Sequence, residues 1–439
     1  MKATNLQIRV AISEYSRLGL SDRRVAGILK TSVHMVRKWR RKAQRGEALN
    51  GPLGRPKRGV LSSFPKEVVS LLERWRTVHP GWGAKTLCAE LRNWYSGIPI
   101  RLPSQASIGR WLKQTGRSRA YQKHSELPKV FRSPTHHCHE EWELDARGYQ
   151  HTPNVGIISL INVNDVHSRV KIHSFPCFLG EKRACRRPTT EDYQLILRQA
   201  FMEWGLPDRL AVDHDSVFFD NRNASPFPTR FHLWLIALGI DMTLGRPGRP
   251  TDQGMTERSH QTWFHQVLEG QTFTSYDQLM MSCHQRRTFL NHCLPCATLG
   301  EEPPLVACPE ALTPRRLYRP EYESELLSLD RVYAYLAKGS WFRLTSNVGA
   351  IKLGQAYYSL GPQWKRKETE LTFDADQRLF ICRSQGLEKR FPLKGISVQF
   401  LMAELGPMSH LRNVQLLLPL SWDEWRQTQS FLACSGTTF

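Results

Sequence analysis

Several features that would mark a secreted or membrane protein are scarce in this sequence. Cysteine contributes only 10 of 439 residues, too few for a disulfide framework and typical of a reducing compartment. No apolar run approaches the roughly 18 residues that a membrane-spanning helix needs, and the stretch MKATNLQIRV lacks the apolar core of a signal peptide. We therefore expect a cytoplasmic protein without a membrane partner.

Acidic residues are also in deficit. The chain has 40 Asp and Glu against 61 Lys and Arg, which gives a net charge of +21. Residues 1–60 hold 15 basic and 3 acidic residues, so +12 of that charge lies in this short segment. Such an asymmetry favours a polyanionic partner, and nucleic acid is the first hypothesis. The alternative is a well-solvated basic enzyme.

Zinc-binding patterns are incomplete. A single CLPC motif places Cys293 and Cys296 beside His292, and the cluster HHCH occupies residues 136–139. A zinc site needs about four ligands at defined spacing. Since neither stretch supplies them alone, we expect ordinary thiols and imidazoles here.

The remaining pattern predicts several domains. Length alone suggests roughly three, at about 150 residues each. Helical periodicity with basic helices predicts two helical units, and strand-like runs alternating with helices predict an α/β core. The expected organisation is a helix-turn-helix DNA-binding domain (1–50), a basic linker (51–63), a second helix-turn-helix domain (64–117), a linker (118–137), the core (138–300), a proline-rich connector (301–328), a small β-barrel (329–400) and a tail (401–439).

The third helix of the first unit, in TSVHMVRKWRRKAQRG, carries an apolar face and a cationic face. Helix, tight turn and basic helix is the helix-turn-helix arrangement, although a helical hairpin without function has a similar pattern. The linker segment GRPKRG suits either minor-groove contact or a plain linker. Predicted DNA contacts are His34, Arg37, Lys38, Arg40 and Arg41 on the third helix, Arg55, Lys57 and Arg58 in the linker, and Gln105 and Arg110 in the second unit.

Three carboxylates occupy special positions in the α/β core. Asp145 and Asp213 end strand-like runs, and Glu257 opens a helix after a loop rich in glycine and proline. Side chains at strand ends and helix starts converge at one edge of an α/β sheet. Hard oxygen ligands suit Mg²⁺ or Mn²⁺, and two such ions can activate a water or a 3′-hydroxyl for attack on a phosphodiester.

The motifs around these acids resemble those of DDE transposases and retroviral-type integrases. They are WELDARG, LINVNDVHSRV, PDRLAVDHDSVF and PTDQGMTERSHQTW, in that order. The resemblance implies a ribonuclease H-like core in which Asp145, Asp213 and Glu257 hold two metal ions. It implies a bacterial insertion-sequence transposase that binds transposon ends, cleaves DNA strands and joins the freed 3′-hydroxyls to target DNA. For members of that family we also expect a homo-oligomer on double-stranded DNA, association with the nucleoid and a possible helper ATPase.

The second motif departs from the family, which reads Asp-Asn-Gly where this chain has Asp213, His214 and Asp215. We assign Asp213 as the metal ligand and Asp215 as the turn residue. Apart from glycine, Asp and Asn are the residues that best tolerate the backbone of a tight turn. The loop GRPGRPTDQG, residues 245–254, precedes Glu257, and we expect Arg246, Arg249 and the following Arg258 to contact DNA phosphates. Rival functions are a DNA-binding regulator without catalysis and a hydrolytic nuclease.

Overall fold

The computed structural model describes residues 5–47, 49, 59–118, 134–181, 185–245 and 254–403. For residue 5 and residues 254–257 it describes the backbone only. The chain divides into two compact units, Met1–Ser63 and Phe64–Phe439. The linker residues Arg55, Lys57 and Arg58 and the loop residues Arg246 and Arg249 lie outside the described residues. Among the described helices, none is both long and apolar enough to cross a bilayer.

The first unit consists of three helices, α1 (Asn5–Arg17), α2 (Asp22–Ile28) and α3 (Val33–Gln44). Their apolar faces meet in a small core of Ile12, Val25, Ala26 and Val36. Ser32 begins α3 by accepting a hydrogen bond from Met35 N at 3.2 Å, as expected for a helix N-cap. The three-helix pattern predicted from the sequence is therefore present, and its role in DNA binding remains a prediction.

The second unit begins with three further helices: α4 (Lys66–Val78), α5 (Ala84–Trp94) and α6 (Gln105–Gln114). They do not stand apart from the residues that follow. Trp82 Nε1 donates to Gln266 O at 3.3 Å, and Gln266 Nε2 donates to Thr86 Oγ1 at 2.9 Å. The predicted second helix-turn-helix region thus lies in the same compact unit as the α/β core.

The α/β core is built on one mixed sheet, which confirms the predicted class. Strand order is β4-β3-β1-β5-β6, with the short β2 extending the β3 ladder beyond β1. β1 pairs with β3 antiparallel and with β5 parallel, and β5 pairs with β6 parallel. The strands are β1 (Glu141–Ala146), β2 (Gln150–Thr152), β3 (Gly156–Asp165), β4 (Lys171–Gly180), β5 (Arg209–Val212) and β6 (Asp241–Leu244).

Helices cover both faces of this sheet, because successive strand residues alternate between two apolar cores. On one face Ile161 and Val163 of β3 share a core with α7 (Thr190–Trp204) and α8 (Arg230–Ala237). On the other face Ile158 and Leu160 pack with the helices that follow β6. These are α9 (Gly254–Trp263), its π-helical continuation Phe264–Leu268, and α10 (Tyr276–His292).

The connector after α10 is folded against the core through a buried ion pair. Arg198 of α7 donates to both carboxylate oxygens of Glu323 at 2.6 and 2.7 Å. Trp234 Nε1 donates to the same carboxylate at 2.8 Å, and Glu323 is fully buried. Short helices shape the connector and its exit: α11 (Pro304–Ala307), α12 (Glu323–Leu326) and α13 (Leu329–Ala337).

The barrel expected of the C-terminal strands is not confirmed. In the described part of the chain they form a four-stranded antiparallel sheet, β12-β11-β10-β7, and a separate β8-β9 hairpin. The alternation of buried and exposed residues in β7 and β10 gives the sheet one apolar face, which packs on α13. The elements are β7 (Ser340–Leu344), β8 (Ala350–Leu353), β9 (Ala356–Ser359), β10 (Glu368–Asp374), β11 (Leu379–Ser384), β12 (Leu387–Pro392) and α14 (Val398–Met402).

Candidate active site

Asp145 and Asp213 lie level with one another on adjacent parallel strands. The β1–β5 register pairs Glu141 with Arg209 and Glu143 with Ala211, and the same offset continued by two residues aligns Asp145 with Asp213. Residues aligned in this way project from the same face of a sheet, and neighbouring strands are roughly 4.8 Å apart. The two predicted carboxylates are therefore brought together by strand pairing alone.

The electrostatics agree with this placement. Burial, followed by the charges of Asp145 and Asp215, raises the pKa of Asp213, while a hydrogen bond from Asp215 N at 2.9 Å partly offsets the effect. Burial and the charges of the same three aspartates also raise the pKa of the buried Tyr193 phenol. The carboxylates thus share one region of negative potential, which a cation would neutralise.

Two further polar residues extend the same row across the sheet. Asp145 is paired with Asn162 of β3, and Asn162 is paired with Ser174 of β4. Ser174 Oγ donates to Asn162 Oδ1 at 2.6 Å. Polar side chains therefore lie at one register across four neighbouring segments of the sheet, and the buried pair Glu143 and Asn164 continues the polar region on the same face.

His260 of α9 covers this row. Asn162 Nδ2 lies 2.8 Å from His260 Nδ1, and His260 Nε2 lies 3.0 Å from Asp145 Oδ2. Because Ser174 donates to the amide oxygen of Asn162, the amide nitrogen is the donor to Nδ1, which leaves the proton on Nε2 to bond Asp145. The chain Ser174–Asn162–His260 thereby fixes the orientation of the Asp145 carboxylate.

Glu257 lies in the first turn of α9, three positions before His260. Three helical positions correspond to a rise of about 4.5 Å, and positions three apart share a helix face. The backbone of α9 thus carries position 257 on the face that His260 presents to Asp145. Arg258 follows and is exposed.

The Asp215 carboxylate bonds its own turn. Its Oδ1 accepts from Val217 N at 2.9 Å, and its backbone oxygen accepts from Phe218 N at 2.9 Å. Asp215 is not among the described residues with a left-handed φ, so this chain changes the backbone instead of forcing Asp into the conformation that glycine would take. Asp215 is therefore part of the turn, and the role of Asp213 as a metal ligand stays a prediction.

A basic cleft opens beside the aspartates. Its volume is about 1680 Å³, and its wall includes Ser216 and Val217, which directly follow Asp215. Its lining also includes residues of the β8–β9 hairpin and of the segment before α14. Cationic residues that line it are Arg186, Arg187, Arg222, Arg230, Arg343, Lys352 and Lys394, and the acidic lining residues are Glu191 and Asp220. Basic residues outnumber acidic ones in this lining, so the cleft favours an anionic ligand.

The predicted DNA-contact residues of α3 do not all face outward. His34, Arg37, Lys38 and Arg41 are exposed. Arg40 is turned into the unit, where it pairs with Asp22 at 2.7 Å and donates to Ser16 Oγ at 2.8 Å. Arg40 therefore ties α3 to α1 and α2, which corrects its assignment as an outward-facing residue. In the second unit, Gln105 and Arg110 are exposed on α6.

Sequence reasoning missed His260 and Asn162. The signal for His260 was present, since a histidine three residues after a candidate acidic ligand on a helix shares its face. Asn162 gave no such signal, because its role depends on the pairing of β3 with β1 and β4.

Retroviral integrases are among the solved structures to which this chain is similar. The HTLV-2 integrase catalytic core domain in complex with magnesium matches at 11% identity and a TM-score of 0.29, covering 39% of this chain and 97% of that chain. The simian T-cell lymphotropic virus intasome in complex with PP2A regulatory subunit B56 gamma matches at 13% identity and a TM-score of 0.32, covering 74% of this chain and 96% of that chain. No protein-family model matches the sequence.

Proposed function

We propose that this protein is a DNA transposase of the DDE type, with a ribonuclease H-like core that cleaves DNA at transposon ends and joins the freed 3′-hydroxyls to target DNA. The observation that carries the proposal is the alignment of Asp145 with Asp213 on adjacent parallel strands beneath α9, the helix of Glu257. The four motifs identified in the sequence supply the reaction class.

The donor set fits divalent metal. Asp145, Asp213 and Glu257 would hold two Mg²⁺ or Mn²⁺ ions, and the burial and like charge that raise the pKa of Asp213 are what a hard cation offsets. When bound, such ions supply Lewis-acid stabilisation of the attacking and leaving oxygens. His260 and Asn162 orient the Asp145 carboxylate, and Asp215 holds the turn behind Asp213.

Double-stranded DNA is the proposed partner. The exposed cations of α3, the linker cations Arg55, Lys57 and Arg58, and the α6 residues Gln105 and Arg110 would bind transposon ends, and the basic cleft would hold the strand near the aspartates. Arg246, Arg249 and Arg258 would contact phosphates beside Glu257. The motif resemblance adds a homo-oligomer on paired ends, location at the bacterial nucleoid and the possibility of a helper ATPase.

The test is incubation of the full chain with candidate terminal repeats, target DNA and Mg²⁺, followed by mapping of nicks and joined products. Cleavage and joining should both be lost in Asp145→Asn, Asp213→Asn and Glu257→Gln, while end binding stays within about twofold. Nicks without joined products would indicate the nuclease, and end binding without nicks would indicate the regulator. Loss of activity in Asp215→Asn but not in Asp213→Asn would reverse the assignment of that pair.

A further inference from the structure

A second cluster of metal-ligating side chains lies away from the aspartates. Atoms of Cys138, His167 and Glu310 that could bind one ion all lie within 4.8 Å of one another. They come from the segment before β1, the turn between β3 and β4, and the connector after α11. Since Trp142 of β1 pairs with Asp165, this cluster lies at the amino end of β1, whereas Asp145 lies at its carboxyl end.

The spacing of the ligand atoms suits one small ion. Cys138 Sγ lies 3.6 Å from Glu310 Oε1. In a tetrahedral zinc site with Zn–S of about 2.3 Å and Zn–O of about 2.0 Å, the two ligand atoms would be about 3.5 Å apart. The thiol and the carboxylate therefore already have the separation that a shared zinc ion imposes.

The histidine is oriented as a metal ligand would be. His167 Nδ1 lies 3.1 Å from the backbone oxygen of Thr135, which can only accept, so Nδ1 carries the ring proton. The lone pair is consequently on Nε2. Ligating histidines in metal sites commonly donate their other ring N–H to a backbone carbonyl in this way.

A candidate fourth ligand is Cys308. The Cys308 thiol is buried and interacts with that of Cys138, although its sulfur is not within 4.8 Å of all three of the other ligand atoms. Asp165 is not a competing ligand, because its two oxygens already accept from His139 N at 3.0 Å and Ser168 N at 2.9 Å. Its charge nevertheless adds to that of Glu310, so the pocket favours a cation.

We propose that Cys138, His167, Cys308 and Glu310 bind one structural Zn²⁺. Once the Cys308 side chain moves closer, two sulfurs, one imidazole nitrogen and one carboxylate oxygen would form a closed tetrahedral set, which selects zinc over the hard cations suited to the aspartates. Binding would release the two thiol protons to solvent. The ion would fasten the proline-rich connector to the segment before β1 and to the β3–β4 turn.

The proposal is tested on the full chain, purified without chelator and dialysed, by elemental analysis for zinc and by absorption after replacement with Co²⁺. We expect about one zinc per chain and a thiolate-to-cobalt charge-transfer band, which the all-oxygen aspartate site cannot produce. Both should be lost in Cys138→Ser and Cys308→Ser. Cys382→Ser, which removes another buried thiol, and Cys293→Ser, which interrupts the CLPC motif, are the matched controls and should keep both signals.

Because a buried Cys→Ser change can itself unfold the chain, Glu310→Gln provides a second test at an exposed position. It should leave the circular dichroism spectrum unchanged and weaken zinc affinity by about tenfold or more in competition with a chromogenic chelator. Absence of zinc and of the cobalt band from the wild-type chain overturns the proposal. So does a band that persists in folded Cys138→Ser, or an affinity that Glu310→Gln leaves unchanged.

Discussion

His260 Nε2 lies 3.0 Å from Asp145 Oδ2, which joins the helix of Glu257 to the strand of the first aspartate. The contact sets both the orientation of the carboxylate and the approach of α9 to the sheet. A histidine in this place is a positioning residue, since its other ring nitrogen is held by Asn162.

Replacement of His260 by alanine should therefore reduce DNA cleavage by about 10- to 100-fold, the range typical of partners that orient metal ligands. The Mg²⁺ concentration for half-maximal cleavage should rise, because Asp145 loses its fixed orientation, and end binding should be unchanged. His260→Gln, which can still donate a hydrogen bond, should recover part of the activity. An unchanged Mg²⁺ dependence in His260→Ala would show that the contact is only structural.

Arg41 and Arg40 form a matched pair on α3. Arg41 is exposed, so Arg41→Ala should remove one phosphate contact and flatten the slope of log affinity against log salt by about 0.9. Arg40→Ala should instead lower the melting temperature of the first unit, because Arg40 pairs with Asp22 and bonds Ser16. Salt titrations of end binding and thermal melts of both variants separate the two roles, and equal effects on the slope would contradict them.

Much of the candidate site follows from local sequence pattern. Asp145 and Asp213 lie at strand ends and Glu257 in the first turn of a helix, as the sequence pattern predicts. The choice of these three acids came from the motif resemblance, and their role as one site stays a prediction. The starts of α3 and α6 are also set locally, because Ser32 and Ser104 each accept from the backbone N–H three residues on, as N-caps do.

What the sequence could not predict depends on contacts between distant residues. The β7–β12 region has the alternation of a barrel, but alternation does not specify which strands pair, and the described ladders leave β7 and β12 as edges. In the sequence, Arg40 cannot be told from the exposed basic residues beside it on α3. Only the folded position of Asp22 shows that Arg40 turns inward to pair with it. The sequence predicts an irregular connector. It does not show how the connector is held, because Glu323 pairs with Arg198, which is far away in the chain.

Glu323→Gln should destabilise the second unit by about 3–5 kcal/mol, because Arg198 would remain buried without its counter-charge. Trp234 and Tyr318, which also donate to this carboxylate, would lose strong acceptors. Urea denaturation measures the change. Glu325→Gln on the same short helix is exposed and should alter stability by less than about 0.5 kcal/mol; a similar loss in both variants would rule out the ion pair as the cause.

Acid should destabilise the core through His173. Burial, then the charge of Arg287 and that of His284, lowers the pKa of His173 to about 3 from an ordinary 6.5, while its Nε2 bonds Gln199 Oε1 at 2.9 Å. Between pH 6.5 and 3 this histidine is therefore protonated in the unfolded chain but neutral in the folded chain. The free energy of unfolding falls as pH drops through this range, by up to about 1.4 kcal/mol per pH unit. His173→Gln should flatten that dependence in denaturation curves, whereas the exposed His151→Gln should not.

Gly81 marks the point where the α4–α5 region meets the extension of the α9 helix. A Cβ at Gly81 would lie 2.2 Å from the backbone oxygen of His265, and backbone cannot move aside as a flexible side chain can. Gly81→Ala should therefore cost about 1–3 kcal/mol through overpacking and loosen the π-helical turn that follows α9. Faster amide hydrogen exchange in residues 259–270 and slower DNA cleavage are the expected readouts.

The control for Gly81 is Gly109→Ala in α6, where the added Cβ would make an ordinary contact of 3.8 Å with Ala84 Cβ. This change lies inside a helix, where alanine is favoured over glycine by roughly 0.5–1 kcal/mol, so it should not destabilise the chain. If Gly81→Ala melts and exchanges as the wild type does, the α4–α5 region does not control the position of α9. The expected result is faster amide hydrogen exchange and slower DNA cleavage in Gly81→Ala only. That result would show that close packing of the α4–α5 region on the π-helical turn holds the helix of Glu257 over the aspartates.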